Sequence, residues 1–533
     1  MKKRIWNLGI VVAVFFCGIA QAQTPVGTSD AVSIPGITGF PSPTAASMVK
    51  TEQIPVNYYN GTASTSIPLH VFNYYKHVLP ISLSYQSTGL RVQERASWVG
   101  LGWALNAGGV VTRSVKGIPD DHSSGNGFFE KGDSFNSFIP DLTVKADKDL
   151  FDDIANGDYD SDPDIFTVRA PTISGEFAFI DDTLRFKSKQ NAIIEYTKSG
   201  LYKIASFIIT DESGIKYTFA QQENTTTTSH NGGTPLPLQS YVSAWYLTKI
   251  EHPQITQDVL LEYDTIGYPS TQTTVSVGRR VYAAGNNPYC GTLSDAYFET
   301  SATTTNTAIY LKKIKGETPS GQYEVNFTVE ARDDLTSEKR LKSIQVVENG
   351  QTQKEIEFGY GYFTTGAHKR LKLTSVQTFD NTGTNSLPEH KFEYYEGTIP
   401  DYDSDDIDYW GYYNAAGNVN TVPTAYTGGS TGSLIYTSTN SRAPINSQVS
   451  LLKKITYPTG GTSSFVYERN DYGFIRTTAE SSTQPAGGMR IKSITNYDGV
   501  STANNIVKNI SYGMDDGSGL SSGRIEGDPL VVE

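Results

Sequence analysis

The chain has 533 residues, with 43 Lys and Arg against 56 Asp and Glu and a formal net charge of −13. That length exceeds one ordinary small domain, so two or more modules are expected. An acidic balance without clustered cations argues against nucleic acid or anionic lipid as a partner, because phosphate binding needs such clusters.

Lys2, Lys3 and Arg4 precede an uncharged apolar run from Leu8 to Ala20, and Ala20-Gln21-Ala22 puts small residues at the −3 and −1 positions of a cleavage site. That order is a secretory signal peptide over residues 1–22. The run is short for a bilayer span, which needs about 20 residues, and no later segment is long and apolar enough to span. Phe15-Phe16 precedes Cys17, where a lipoprotein site has small residues. The mature chain is therefore expected to be secreted or held at the cell surface, with no membrane span after cleavage. It keeps 40 basic and 56 acidic residues, a net charge of −16. Cys290 is its single cysteine, read as a small buried hydrophobe. With no internal disulfide, stability has to come from a large core and many ladder hydrogen bonds. The 33 tyrosines and 49 glycines point to pleated, half-buried surfaces and turns.

Residues 23–55 form a Pro/Gly/Ser/Thr-rich leading segment. A β module follows over 56–240, where Asn60-Gly61 signals a tight turn and Ile81, Leu83 and Tyr85 alternate with serines. Tyr323, Val325, Phe327 and Val329 alternate with polar residues, as do Ile356, Phe358, Tyr360 and Tyr362. Such alternation sets one side of an antiparallel sheet on a core and the other in water. The single helix candidate spans Asp147 to Ala155, with Leu150, Phe151 and Ile154 on one face.

A degenerate repeat organises 241–400. A unit opens with Leu, one or two basic residues and Ile, and a second strand closes it with aromatics. Leu247-Thr248-Lys249-Ile250 leads to Leu261-Glu262-Tyr263, and Leu341-Lys342-Ser343-Ile344 to Phe358-Gly359-Tyr360. Leu371-Lys372-Leu373 leads to Phe392-Glu393-Tyr394. Leu311, Leu341 and Leu371 start units 30 residues apart. An acidic and aromatic insertion occupies 401–450. Repeats continue over 451–533, where Leu452-Lys453-Lys454-Ile455 leads to Phe465-Val466-Tyr467 and Arg490-Ile491 to Tyr512. The last unit reads as truncated. Pro458-Thr459-Gly460-Gly461 has hairpin-turn chemistry. No single hairpin buries its apolar face alone, so the class expected is all-β: repeated antiparallel β-hairpins in an extended, spiralling sheet.

Several blocks, in order, carry a resemblance. They are Ser97-Trp98-Val99-Gly100-Leu101-Gly102-Trp103, then Asn106-Ala107-Gly108-Gly109-Val110-Val111-Thr112-Arg113, Asp162-Pro163-Asp164-Ile165-Phe166 and Ser174-Gly175-Glu176-Phe177. Tyr409-Trp410-Gly411-Tyr412-Tyr413-Asn414, the Pro458 turn and Gly487-Gly488-Met489-Arg490-Ile491 come next. Together they resemble the N-terminal region of RHS/YD-repeat proteins, with the related SpvB-type proteins and toxin-complex B subunits. The resemblance implies a partial RHS-type shell of spiralling sheet. It also implies, as partner, a C-terminal RHS core and toxin segment or an adjacent-gene product. The Tyr-Asp repeat itself is sparse, with partial matches at Tyr263-Asp264 and Tyr497-Asp498, and no RHS core with its aspartate protease motif is present.

No catalytic residue emerges, and the chain is read as a non-enzyme. Gly519-Leu520-Ser521-Ser522-Gly523 fits a GxSxG pattern but lacks the strand before and the helix after that a nucleophile elbow needs. Asp158, Asp160, Asp162 and Asp164 alternate as in a calcium loop, although Pro163 and Arg169 stand where an EF-hand has Gly and Glu. A solvated loop competes with that reading, and calcium is the one cofactor suggested. Tyr409, Trp410, Tyr412 and Tyr413 could stack on sugar rings of a surface glycan, against packing between hairpins. Trp98, Gly100, Gly102, Trp103, Gly108, Gly109, Arg113, Pro458, Gly460 and Gly461 are assigned structural roles, the glycines permitting close backbone approach. The sequence thus reads as a structural segment that scaffolds or encapsulates a C-terminal cargo such as a toxin. The alternative is a surface adhesin or glycan-binding β-protein. Intact-mass measurement of the exported protein should give a chain starting at Gln23; retention of Cys17 with a diacylglycerol addition would overturn this.

Overall fold

The computed structural model describes residues 54–122, 126–129, 148–150, 153–154, 160, 162–180, 183–200, 203–231, 234–235, 239–264, 268–280, 296–318, 321–383, 385–418, 425–428, 433–436 and 442–526. The signal segment, Asp158 and Cys290 lie outside them. The protein is nearly all β, with large antiparallel sheets not closed into a barrel. Helical backbone occurs at 148–150 and 153–154, inside the stretch where the sequence pattern suggested it, and also at 128–129 and as a 3-10 turn at Thr502–Asn504, where it did not. Among the described residues no helix is long and apolar enough to cross a membrane.

The alternating segments become consecutive antiparallel strands. Val259–Tyr263, Leu311–Thr318, Gly321–Ala331, Lys339–Glu348, Gln351–Thr365, His368–Asp380 and His390–Tyr394 each pair with the next. The series continues through Leu452–Thr456, Thr462–Ile475, Thr478–Tyr497 and Ile506–Asn509. Among the described residues these strands belong to one hydrogen-bonded sheet of 23. The boundary at 240 falls inside Gln239–Glu251, a strand that also pairs with Val110–Ser114. Module and repeats therefore share this sheet.

The repeat has a physical logic. Its leucines and isoleucines, such as Leu247, Leu341, Ile344, Leu371 and Ile455, face the core. Its lysines point outward and meet carboxylates on neighbouring strands: Lys313 lies 2.8 Å from Glu324, and Lys454 2.6 Å from Glu393. Exposed pairs of this kind contribute only about 0–1 kcal/mol each, but they keep the outer face charged. The closing aromatic stands at a register shift. Tyr263 comes opposite Leu311, Tyr394 opposite Leu452 and Tyr467 opposite Ile491, each at a one-residue irregularity of bulge type. There the tyrosine hydroxyl turns back to its own unit. Tyr263 donates to the Leu247 carbonyl at 2.7 Å, Tyr394 to Leu373 at 2.7 Å, Tyr467 to Leu452 at 2.9 Å and Tyr512 to Ile491 at 2.8 Å.

A second layer covers the apolar face. Thr65–Tyr74, His77–Tyr85 and Trp103–Asn106 form a three-stranded sheet. Its Ile67, Phe72, Leu79, Ile81, Leu83 and Tyr85 are buried. Phe72 stacks on Tyr323 with ring centroids 4.8 Å apart. Gly316 makes room for the Tyr74 ring, which a Cβ at that position would meet at 2.6 Å. The Lys354 ammonium reaches the Leu69 carbonyl at 2.8 Å.

Two imidazoles are held in this packing. His70 shares a 2.7 Å hydrogen bond with the Tyr323 hydroxyl, and His390 lies edge-on to Tyr457. Burial pushes both down to about 4, with Lys354 adding to the effect at His70. The unfolded chain takes up these protons near pH 6.5. The stability gained by keeping them neutral is therefore complete above that pH and is lost as pH falls toward 4. Between pH 7 and pH 4.5 the urea midpoint of the wild type should fall relative to that of His390→Gln, because the variant lacks this contribution. The same pH dependence in wild type and His390→Gln would contradict it.

Candidate functional site

A bulge interrupts the ladder, so the backbone N–H groups beside it need other acceptors. The segment from Gly61 to Gly109 supplies them. Ile491 N–H donates to the Gly61 carbonyl at 2.8 Å, Met489 to Thr88 at 2.6 Å, Tyr413 to Leu90 at 2.9 Å, Leu341 to Trp98 at 2.9 Å and Leu247 to Gly109 at 2.9 Å. Leu101 N–H donates the other way, to the Leu371 carbonyl at 2.9 Å. Leu452 N–H uses the Tyr85 hydroxyl at 3.0 Å. The opening residues of successive repeats are thus stitched to one crossing strand of chain.

Close approach explains the glycines. Gly100 has φ +113°, and a Cβ there would lie 3.0 Å from the Leu373 nitrogen. Gly102 has φ +76°, and its Cβ would enter the Tyr85 ring at 2.7 Å. Added side chains would likewise press on Leu261 from Gly108 and on the Arg169 carbonyl from Gly109. Trp103 is buried, its indole N–H donating to the Tyr394 hydroxyl at 2.8 Å and its ring 4.6 Å from Phe392. Trp98 is half-buried against Tyr310.

Two arginines that sequence reasoning missed clamp the same segment. Arg332 forms a two-pronged bond to Asp334, at 2.8 and 2.7 Å, and donates to the Ala96 and Ser97 carbonyls. Arg370 is fully buried, donates to the Val92 carbonyl at 2.8 Å and lies over the Tyr402 ring. Arg332 follows a strand end beside Asp333 and Asp334, and Arg370 stands between Lys369 and Lys372, so each reads as an ordinary surface charge and no local signal set it apart.

The aromatic cluster docks on this segment as well. The Tyr412 hydroxyl meets Thr88 at 2.6 Å, with Arg91 over its ring. Trp410 packs on Gly487, and Arg442 lies over Tyr409. All four rings, Tyr413 included, are half-buried. The Pro458 turn closes the hairpin Leu452–Thr456/Thr462–Ile475, with Gly460 at φ +84° and Tyr457 N–H donating to the Gly461 carbonyl at 2.9 Å.

A buried charged cluster sits where Val110–Ser114 meets Ile165–Arg169. Arg113 Nε donates to Asp164 Oδ2 at 2.6 Å and Nη1 to Asp121 Oδ1 at 2.7 Å. Asp164 also accepts from the Lys116 and Asp120 amides, and Asp120 Oδ1 from the Asp164 amide at 2.9 Å. Asp121 Oδ2 accepts from Ile204 N–H at 2.9 Å. Asp120, Asp160 and Asp164 each bring a carboxylate oxygen within 4.8 Å of the others. Burial raises all three carboxyls, Asp160 up to about 7; the Asp164 charge adds to the rise at Asp120. Of the sequence candidates, Asp160 and Asp164 come together and Asp162 is exposed. Asp120 was missed because the loop that returns it lies far away in sequence.

The molecule is thus of an all-β, hairpin-repeat class. Residues 222–326, which include the first repeat units, match the family of the insecticide toxin TcdB middle/C-terminal region. The chain is toxin-complex-like over that stretch. No curated protein matches it significantly. Solved structures with some likeness include the N-terminal domain of the effector SpvB from Salmonella typhimurium, at 10% identity, 59% of this chain, 98% of that chain and TM-score 0.29. A Photorhabdus luminescens Tc holotoxin pore gives 10% identity, 83% of this chain, 19% of that chain and TM-score 0.36. A porin-like protein from Bacteroides uniformis gives 8%, 85%, 96% and 0.21. Overlays with TM-scores this low carry no functional weight.

Three substitutions separate the roles of these groups. Trp103→Ala should cost about 3–5 kcal/mol, and Trp98→Ala clearly less. Arg113→Met leaves Asp164 and Asp121 buried without their cation and should cost about 3–5 kcal/mol. Urea unfolding of the three variants checks the order; equal, small effects would contradict it.

Proposed function

We propose that the chain is a non-enzymatic wall segment of a toxin-complex-like protein, exported to the cell surface or beyond, that scaffolds or encloses a C-terminal cargo such as a toxin. The observation that carries this reading is the continuous run of antiparallel hairpins in one open sheet, stitched by a single crossing segment. Such a sheet extends by adding strands, and a wall needs stiffness over a large area. The family match over residues 222–326 supports the same reading. The strand Ile506–Asn509 presents exposed Ile506 and Val507, an apolar edge suited to a further strand of an RHS core or adjacent-gene product.

The competing reading is a glycan-binding adhesin. The half-buried cluster of Tyr409, Trp410, Tyr412 and Tyr413 favours it less, since each ring packs on the protein's own groups. Co-expression of the mature chain with an RHS-core polypeptide encoded beside it tests the proposal. A stoichiometric complex by size exclusion is expected, weakened by Ile506→Lys together with Val507→Lys. A lone monomer with no association, and glycan-array binding lost in Tyr409→Ala, would replace the wall reading with the adhesin.

A further inference from the structure

We propose that Asp120, Asp160 and Asp164 hold a calcium ion in a buried site between the loop after Val110–Ser114 and the approach to Ile165–Arg169.

The spacing of the donors fits one ion. Two oxygens bound to one calcium at about 2.3–2.6 Å lie no more than about 5 Å apart, and the three carboxylate oxygens here fall within 4.8 Å of one another. Two carboxylate oxygens of this set lack partners. Asp120 and Asp160 are 1% and 3% exposed, yet the Oδ2 atom of each has no hydrogen-bond donor. Their Oδ1 atoms are committed to the amides of Asp164 and Asp162. A buried carboxylate oxygen without a donor is strongly disfavoured, and both such atoms belong to the three-residue set. Charge balance points the same way. Asp120, Asp121, Asp160 and Asp164 lie within reach of one buried cation, Arg113, whose bonds go to Asp164 and Asp121. A divalent ion offsets most of the remaining negative charge.

The ligand chemistry selects the metal. All three donors are hard carboxylate oxygens, without His or Cys, which disfavours zinc. Magnesium demands tight octahedral geometry and retains several waters, whereas calcium accepts six to eight oxygens in flexible arrangements. Three carboxylates leave places for backbone carbonyls and water. Gly117, at φ +70°, lets the loop close over the site: a Cβ there would lie 2.7 Å from Asp160 Oδ1. The ion would join this loop to Ile165–Arg169 and, through Asp121 and Ile204, to Lys203–Thr210. It acts as a clasp for the first strands of the large sheet.

The test uses the mature chain, stripped with chelator and titrated with calcium chloride. Calorimetry should show one ion bound per chain, with a raised melting temperature. Asp120→Asn and Asp160→Asn, which keep shape and remove charge, should each weaken binding by about tenfold or more, while melting in chelator stays at or above wild type. Terbium luminescence excited through tyrosine, competed away by calcium, gives a readout on the wild-type protein if a variant fails to fold. Absence of calcium heat, melting shift and terbium signal in wild type would overturn the proposal. So would unchanged binding in folded Asp120→Asn and Asp160→Asn, and an equal effect of magnesium at the same concentration would overturn the choice of calcium.

Discussion

Much of this structure depends on the tyrosine hydroxyl that four of the repeat units turn back onto the carbonyl of their opening segment. A long antiparallel sheet of regular strands has no intrinsic reason to keep its register over many hairpins, since a slip by one residue exchanges its faces. A bulge fixes register and adds twist, but it frees backbone groups from the ladder. The hydroxyls of Tyr263, Tyr394, Tyr467 and Tyr512 satisfy carbonyls at such places. A phenylalanine would fill the same volume and leave a buried acceptor bare.

The freed N–H groups create the second demand, and the Gly61–Gly109 segment meets it from across the core. Its own carbonyls then need positioning, and Arg332 and Arg370 provide that from inside the sheet. Burying a guanidinium costs several kcal/mol unless its donors are used; Asp334 and the segment's carbonyls use those of Arg332. The consequence is mutual dependence, in which repeats and crossing segment are each incomplete alone. A sheet held in this way resists local opening.

The two clusters of polar interest differ in how far their groups are satisfied. The aromatic insertion is absorbed into packing, with its hydroxyls and rings partnered by Thr88, Arg91 and Arg442. The Arg113 cluster is not self-sufficient, because it carries more negative charge than its single arginine offsets. The unbalanced charge therefore lies at the point where the first strands join the sheet, which is where the ion is proposed.

By itself the sequence determined the local pattern. Alternation of apolar and polar residues specifies strands because side chains point to opposite faces with a period of two. The Leu-basic-Ile openings and aromatic closings marked the hairpins, and glycines flanked by Trp98 and Trp103 marked a close approach. None of this said what the glycines approach, since Leu373 and Tyr85 are brought there only by the fold. The tertiary structure alone decided that Asp120 joins Asp160 and Asp164 while Asp162 turns to solvent. It also decided that Arg332, in a loop, and Arg370, in a strand, each an ordinary charge in the sequence, lie inside. Periodicity is a short-range property of the chain, whereas these contacts bridge distant parts of it and exist only once the second layer has closed on the first.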